Sequence, residues 1–505
     1  MPTSPVSSSA AAIGSRTGAT RPSALSFRLA LIVSAGLIVL RSAIFILYEQ
    51  AFFDSDQAII GLMARHLVEG QAFPLFYYGQ GYLLGIDALA AAPFFLLLGP
   101  TVAALHIGVV ALNIAALAGM MTVLVRAGLS PTAAVLSTLF FSFAPPLTSA
   151  SLIEAGANIG PIVAVPLMWL VRSSPVALGC VTALGFVNRE FTLYGVVALL
   201  AIDVWRGRWF TAERVRFWLL ALAAATAVMA GVAVLKPLAD SNGPGTRGAR
   251  PPGFSGDAAT NITSRMDVRL DDMPARTAAM VRDHLPELLG LRLVNSSIAT
   301  QGHGWLFWPV CLGLLAGLGR VLWVTRFARP SGPPLDAGWY FTFVGAAAIG
   351  VYVLSRPAGL LVPRYLLLSL FLPIGIVALH QAVEPRRLFR QLAVGLLALW
   401  ACGSAWDHLR QVDRYVVRGE PNETRELITA LEQRGVSVAR AGYWIAYKVS
   451  FLSAERVRIA SDDVVRVTSY QRLADAAGDS LVRIQTEPCA GGEQIEVWYL
   501  CAAGN

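Results

Sequence analysis

Charge is scarce in this chain. Asp, Glu, Lys and Arg make up 14% of its 505 residues, where a soluble globular protein carries about 25%. With 55% hydrophobic residues and a mean hydropathy of +0.58, a single soluble domain is excluded, and the apolar runs are long enough to span a bilayer. Cysteine is also sparse: the five present do not make a disulfide framework. Cys180, Cys311 and Cys402 fall in apolar runs and read as small core residues. Cys489 and Cys501 lie in the polar tail and can pair if that tail lies outside the cytoplasm. There is no internal repeat, Walker motif, zinc-ligand spacing or Rossmann glycine pattern.

The formal charge of +8 is carried almost entirely by arginine, and many of these arginines sit in short segments between apolar runs. That distribution is the positive-inside pattern of a membrane protein and argues against a nucleic-acid patch. The sequence predicts a mainly α, polytopic transmembrane bundle of about eleven spans. Residues 1–28, rich in Ser, Ala, Thr and Pro, read as a disordered cytoplasmic tail. The spans follow at Leu29–Tyr48, Val102–Val125, Pro131–Pro145, Ile159–Val171, Pro175–Val187, Phe191–Trp205, Val215–Leu235, Trp305–Arg326, Trp339–Leu354, Arg364–Leu379 and Leu392–Trp406. Residues 49–101 form a first outer loop with helices along the membrane at Ser55–Gly70 and Leu83–Leu98, and 237–304 form a long outer loop, helical around Pro274–Leu291. From 407 to 505 the pattern changes to a small extracytoplasmic α/β domain. Its expected elements are helices Glu423–Arg434 and Trp444–Leu452 and strands Val436–Gly442, Arg456–Ala460 and Ile495–Leu500. This topology predicts a multi-pass protein of the plasma (inner) membrane, with a cytoplasmic N-terminus and an external C-terminus.

On that map the outer face collects Asp54, Asp56, Asp87 and Glu154 together with Arg189, Arg356 and Arg364. Carboxylates at the edge of hydrocarbon are costly and point to function. Acids and arginines at one depth suit glycosyl transfer from a lipid-phosphate sugar. A carboxylate takes the proton of an attacking hydroxyl, and Arg or a metal meets the charge that grows on the leaving phosphate. The bland readings are an acidic solvated loop for Asp54 and Asp56, a helix-bundle hydrogen bond for Asp87 or Glu154, an Arg189–Glu190 ion pair, and arginines snorkelling to headgroups. Gln80, Tyr82 and His66 are candidate substrate contacts; the competing readings are an aromatic belt for Tyr77–Tyr82 and a structural role for His66 on its apolar face.

The segment Ser55-Asp56-Gln57-Ala58 after the first span resembles the Asp-Glu-Ala signature of the GT-C membrane glycosyltransferases. The likeness is to bacterial family 39-like members, related to protein O-mannosyltransferases and aminoarabinose–lipid A transferases. Further matching pieces are Gly61–His66, Phe76–Tyr82, Pro93-Phe94-Phe95 with Gly99, Arg364-Tyr365-Leu366 and, in the tail, Gly442–Lys448 and Phe451–Val457. The resemblance implies a GT-C fold and an inverting transfer of a sugar from a polyprenyl-phosphate donor to an extracytoplasmic glycan, lipid or protein. It implies Asp56 as the base, Arg364 facing the donor phosphate and Asp87 where relatives carry Glu; Asp54 and Glu154 as supporting acids, and Arg356 and Arg189 as further phosphate contacts, are candidates from their place on the outer face alone. No metal ligands are assigned, although Asp54 and Asp56 admit a divalent ion between them. Two departures are Gln57 in place of the usual acid and a Ser149–Gly160 loop without the basic, Gly-rich pattern of near relatives. A transporter or lipid flippase would also bury charge, but predicts paired halves with broken helices, which the sequence does not display. A non-catalytic envelope scaffold would tolerate loss of Asp56.

Overall fold

The computed structural model describes residues 24–248, 270–328, 332–355, 361–478 and 481–502. The first helix, α1, is Ala24–Leu47. It takes in the last residues assigned to the tail; the remainder of that tail, 1–23, lies outside the described residues. Ser or Thr caps start the next elements: Thr101 caps α4 (Val102–Arg126), Ser130 caps α5 (Pro131–Ser142), Ser174 caps α8 (Pro175–Asn188) and Thr211 caps α10 (Ala212–Leu235), each accepting from a backbone N–H of the first turn. Pro131 and Pro175 occupy the first helical position, where no N–H is needed.

Among the described residues, seven helices are long and apolar enough to cross a membrane. The pair α5 and α6 (Pro146–Ile153) makes an eighth if counted as one broken span, bent by 86° at the Pro145-Pro146 break. Three of the predicted spans are shorter helices, α7 (Ile159–Val171), α8 and α9 (Leu193–Trp205). At 13 or 14 residues they are about 20 Å long, less than the roughly 30 Å of hydrocarbon. The helix α10 buries only Ala221 fully, with Phe217 and Trp218 partly packed on the core, so most of its apolar surface is exposed. By contrast α4, α7 and the helix Pro333–Ser355 form the buried core. Within α1, fully buried Arg41 donates from Nη2 to Asn113 Oδ1 of α4 at 2.8 Å.

Residues 49–101, the expected first outer loop, hold two helices, α2 (Ser55–Val68) and α3 (Ile86–Leu98). Both are slightly shorter than expected, α3 because Leu83 and Leu84 belong to the preceding turn. Asp54 caps α2 by accepting from Gln57 N at 3.1 Å. Gly108 of α4 lets α3 approach closely, since a Cβ there would collide with the Ala91 backbone. The segment 237–304 is helical at Met273–Ala279 and on through Leu288, followed by a ribbon of β1 (Val294–Asn295) and β2 (Thr300–Gln301).

The C-terminal region packs onto residues 49–101 and 237–304. Its sheet has the order β4-β3-β5-β7-β6, with β3 (Val438–Ala441), β4 (Arg458–Ser461), β5 (Val482–Gln485), β6 (Glu493–Ile495) and β7 (Trp498–Ala502). The strands β4, β3 and β5 run parallel, and β7 and β6 continue antiparallel. Three differences from the sequence reading stand out. The expected strand Ile495–Leu500 is a hairpin, because Glu496 turns through φ 50° and Ile495 pairs back with Trp498. The strand β5 was not anticipated. Nor does a linker separate the domains at 407: the last membrane helix, Arg387–Val412, runs straight through that position. Cys489 and Cys501 form a disulfide with a Cα–Cα distance of 6.1 Å.

Candidate active site

Three contacts fix how the C-terminal region meets α2. A Cβ at Gly61 would run into the Phe451 ring, so glycine lets α2 and the helix Tyr443–Leu452 lie in close contact. Lys448 N donates to Ser55 Oγ at 3.2 Å, and Arg425 Nη2 bonds Glu49 Oε2 at 2.8 Å. The start of the helix Tyr443–Leu452 is held by Asp463, whose Oδ1 accepts from Tyr443 N at 2.8 Å and Val464 N at 2.9 Å. The result is that Tyr443 stands over the first turn of α2.

Asp56 is the centre of what this arrangement builds. Its Oδ2 accepts from Arg364 Nη1 at 2.8 Å, and the same Nη1 reaches Glu154 Oε1 at 3.1 Å. Its Oδ1 accepts from the Tyr443 hydroxyl, and the Tyr77 hydroxyl donates to the Asp56 backbone carbonyl at 2.9 Å. Arg466 lies over both phenols, 5.4 Å from the Tyr77 ring and 5.7 Å from that of Tyr443. Gly79 permits this stack. It has φ 73°, and a Cβ there would come within 2.8 Å of Arg466 Cδ. Beside these groups is a cavity of about 290 Å³, lined among others by Asp56, Tyr77, Gln80, Arg189, Arg364 and Tyr443, with Trp444 and Arg466.

Electrostatics separate the three carboxylates. Burial pushes Asp56 up, but the Arg364 charge and the Tyr443 and Arg364 hydrogen bonds outweigh it and hold Asp56 below the usual carboxylate range. Asp54 moves the other way, raised by burial and by the Asp56 charge. Glu154, just beyond α6, is raised to about 7 by burial, with Arg364 offsetting part and the Asp54 and Asp56 charges adding to it. Arg364 therefore compensates at Asp56, and the upward shift falls on Asp54 and Glu154.

The other predicted residues fall into distinct places. Arg189 and Gln80 line the cavity. Arg189 donates to Asn158 Oδ1 and lies 5.6 Å from the Tyr365 ring. Asp87 is buried away from the cavity and accepts from Ala157 N. Ala157 sits at φ 62°, which costs an L-residue about 1–2 kcal/mol, so Asp87 anchors the bend between Glu154 and Asn158. Asp54 is the cap of α2. His66 is buried outside the cavity, 3.1 Å from the Tyr78 hydroxyl and 3.3 Å from Glu455, which supports its structural reading. Tyr82 packs on the hydrophobic core and does not line the cavity. Arg356 lies outside the described residues. Gln57, in the position of the expected second acid, is buried and bonds His106 Nε2 at 2.9 Å. Among the described residues, no group of three or more His, Cys, Asp or Glu side chains is placed to hold a metal ion.

Sequence reasoning missed the functional placement of Tyr443, Trp444, Asp463 and Arg466. The first two stand in a quoted tail motif, so the signal was present but was attached to the domain and not to the site. Asp463 and Arg466 carry no local pattern.

Solved structures with a similar fold exist. The chain matches ArnT from Cupriavidus metallidurans bound to undecaprenyl phosphate with a TM-score of 0.54 at 11% identity, covering 94% of this chain and 96% of that one. The apo ArnT from the same organism gives 0.53 at 13%, over 93% and 98%. The chain has the GT-C fold. A third match, the apo oligosaccharyltransferase of Archaeoglobus fulgidus, gives 0.50 at 12%, over 91% of this chain and 69% of that one. No family model matches the sequence. No curated protein matches it either.

Proposed function

We propose that this GT-C chain is an integral-membrane glycosyltransferase that moves a sugar from a polyprenyl-phosphate donor to an extracytoplasmic acceptor, a glycan, lipid or protein. The observation that carries this reading is the Asp56–Arg364–Glu154 cluster opening on a cavity walled by Tyr77, Tyr443 and Arg466. The match to a solved structure holding undecaprenyl phosphate supports a lipid-phosphate donor. Residues 29–406 are the proposed catalytic bundle and 407–505 the proposed external domain, in a multi-pass protein of the plasma membrane with its N-terminus in the cytoplasm.

In this reading the donor phosphate binds Arg364, with Arg189 and Arg466 adding positive charge. Both observed Arg364 bonds leave from Nη1, so its remaining N–H groups serve the phosphate as a fork. Phosphate binding draws Arg364 away from Asp56 and brings negative charge close to it. Each change raises the basicity of Asp56, so the base is strong only in the loaded site. The acceptor hydroxyl oxygen then bonds the anomeric carbon, the bond from that carbon to phosphate oxygen breaks with its electrons on the phosphate, and the hydroxyl proton passes to Asp56. A single displacement inverts the anomeric centre. Tyr443 orients the Asp56 carboxylate, and Glu154 is a supporting acid behind Arg364.

The test is transfer by the purified full-length protein with polyprenyl-phosphate sugars, with donor binding measured in parallel. Asp56→Asn should lose turnover and keep donor binding. Normal turnover in Asp56→Asn would remove the assignment of the base, and activity in both Asp56→Asn and Arg364→Ala would remove the site.

A further inference from the structure

The far end of the bundle holds two adjoining cavities that the transfer reaction does not use. The helix Pro333–Ser355 connects the two ends. Near its C-terminus Tyr352 accepts from Val362 N at 3.0 Å, two residues from Arg364. Asp336, in its first turn, is about 24 Å away along the helix axis. There Arg206 Nε bonds Asp336 Oδ1 at 3.1 Å. Both residues line a cavity of about 580 Å³ and a neighbour of about 360 Å³.

The first cavity has an apolar wall. The Trp205 and Trp339 rings are 5.0 Å apart, and Phe343 lies 5.7 Å from Trp339. Trp205 is 55% exposed at the last residue of α9. The polar side is rich in arginine: Arg326 lines the first cavity, and Arg172 and Arg208 the second. Asp336 is the acid that lines them. A second acid, Asp203, is buried behind, 3.6 Å from Arg208 and paired with Arg214. Guanidinium groups thus outnumber carboxylates around a cleft that is aromatic on one side and cationic on the other, at the edge of the apolar helices.

We propose that this cleft binds one anionic glycerophospholipid. Its phosphodiester sits between Arg206, Arg326 and Arg172, and one acyl chain lies along Trp205, Trp339 and Phe343. Fixed arginines at a headgroup-level pocket between membrane helices favour an anionic lipid. A free phosphate would use the cationic side and leave the aromatic wall unused. The site is independent of sugar transfer and sits in the leaflet opposite Asp56.

The experiment uses delipidated full-length protein in detergent, titrated with phosphatidylglycerol, phosphatidylcholine or inorganic phosphate. Native mass spectrometry reads bound lipid, and thermal unfolding reads stabilisation. Phosphatidylglycerol should bind one to one and stabilise, while the other two should do neither. Loss of charge-assisted bonds in the double variant Arg172→Gln/Arg326→Gln should weaken phosphatidylglycerol binding by about ten-fold or more. Trp205→Ala, at a half-exposed position, should weaken it several-fold and covers the case in which the double variant does not fold. Equal binding of both lipids would reduce the cleft to ordinary annular contact, and equal stabilisation by inorganic phosphate would make it a free-anion site. Unchanged phosphatidylglycerol affinity in the double variant, or in Trp205→Ala alone, would also overturn the proposal.

Discussion

The two ends of the bundle each carry an arginine–aspartate pair of nearly the same exposure. At one end Arg364 and Asp56 are 28% and 18% exposed; at the other Arg206 and Asp336 are 30% and 29% exposed. Burial therefore does not separate them. What differs is the company. Around Arg364 the acids are in excess, with Glu154 on the same nitrogen and Asp54 nearby, and two phenols reach Asp56. Around Asp336 the arginines are in excess and the neighbouring wall is tryptophan. The first arrangement suits the proposed proton acceptor, held by Arg364 until an anion arrives; the second, with arginines in excess, suits the proposed anion.

The largest expected effect is at Asp56. General-base help is worth about 10²–10⁴-fold, so Asp56→Asn should lower turnover on that scale while donor binding survives. Asp203→Asn, at the other end, should leave turnover per folded molecule unchanged and lower the unfolding temperature through loss of a charge-assisted bond worth about 1.5–3 kcal/mol. If Asp203→Asn proved as damaging to turnover as Asp56→Asn, the ends would not differ in role.

Next is Arg364→Ala. Losing a charge-assisted bond of about 1.5–3 kcal/mol should reduce donor use by roughly ten- to 150-fold, seen in the donor KM and binding constant. Arg364→Lys should recover only part, because a point charge replaces a fork. Unchanged donor kinetics in Arg364→Ala would separate the pair from phosphate recognition.

Tyr443→Phe keeps the ring and removes the donor to Asp56, so turnover should fall about two- to ten-fold for a bond of roughly 0.5–1.5 kcal/mol. The pH profile carries the sharper signature. The Tyr443 hydrogen bond holds Asp56 down; without it the acid limb of kcat/KM should move to higher pH. A limb that stays put would limit Tyr443 to packing.

The smallest effect on activity is expected at the seam between α2 and the C-terminal region. Burial pushes Glu455 up, but hydrogen bonds from His66 and Tyr470 and the Arg65 charge bring it down to about 2. A carboxylate whose folded pKa is depressed stabilises the fold above its unfolded value and loses that contribution as pH falls toward the folded one. This stabilisation, on the order of 2 kcal/mol, is present above about pH 4.5 and fades toward about pH 2. Glu455→Gln should therefore unfold at lower temperature than the parent at pH 6, with the gap closing on acidification. A gap independent of pH would mean that the seam does not depend on this charge.

Much of the bundle was legible because its signals are local. Apolar runs, Ser-Pro and Thr starts, and arginines between runs placed a helix at each predicted span. The bend at Pro145-Pro146 and the shortness of α7, α8 and α9 depend on packing, so the number of crossings did not follow from the runs alone. At the site, Asp56 and Arg364 were named from short motifs 308 positions apart, and the structure brings them to 2.8 Å. Arg466 and Asp463 could not be read, since what places them is the fold of the tail against α2. His66 is the opposite case: both a structural and a substrate-contact reading were open from its apolar helix face, and in the fold it is buried against Tyr78 and Glu455, outside the cavity. Strand β5, Val482-Arg483-Ile484-Gln485, does alternate, but four residues are too few for the pattern to stand out from a polar tail.

The most direct test of the central claim is the structure of the full chain with a bound polyprenyl phosphate, determined by cryo-electron microscopy in lipid nanodiscs. The account predicts the phosphate within hydrogen-bond distance of Arg364, in the cavity beside Tyr443, with the Arg364–Asp56 pair opened and the Asp56 carboxylate turned toward the acceptor side. A phosphate bound elsewhere with that pair intact would contradict it.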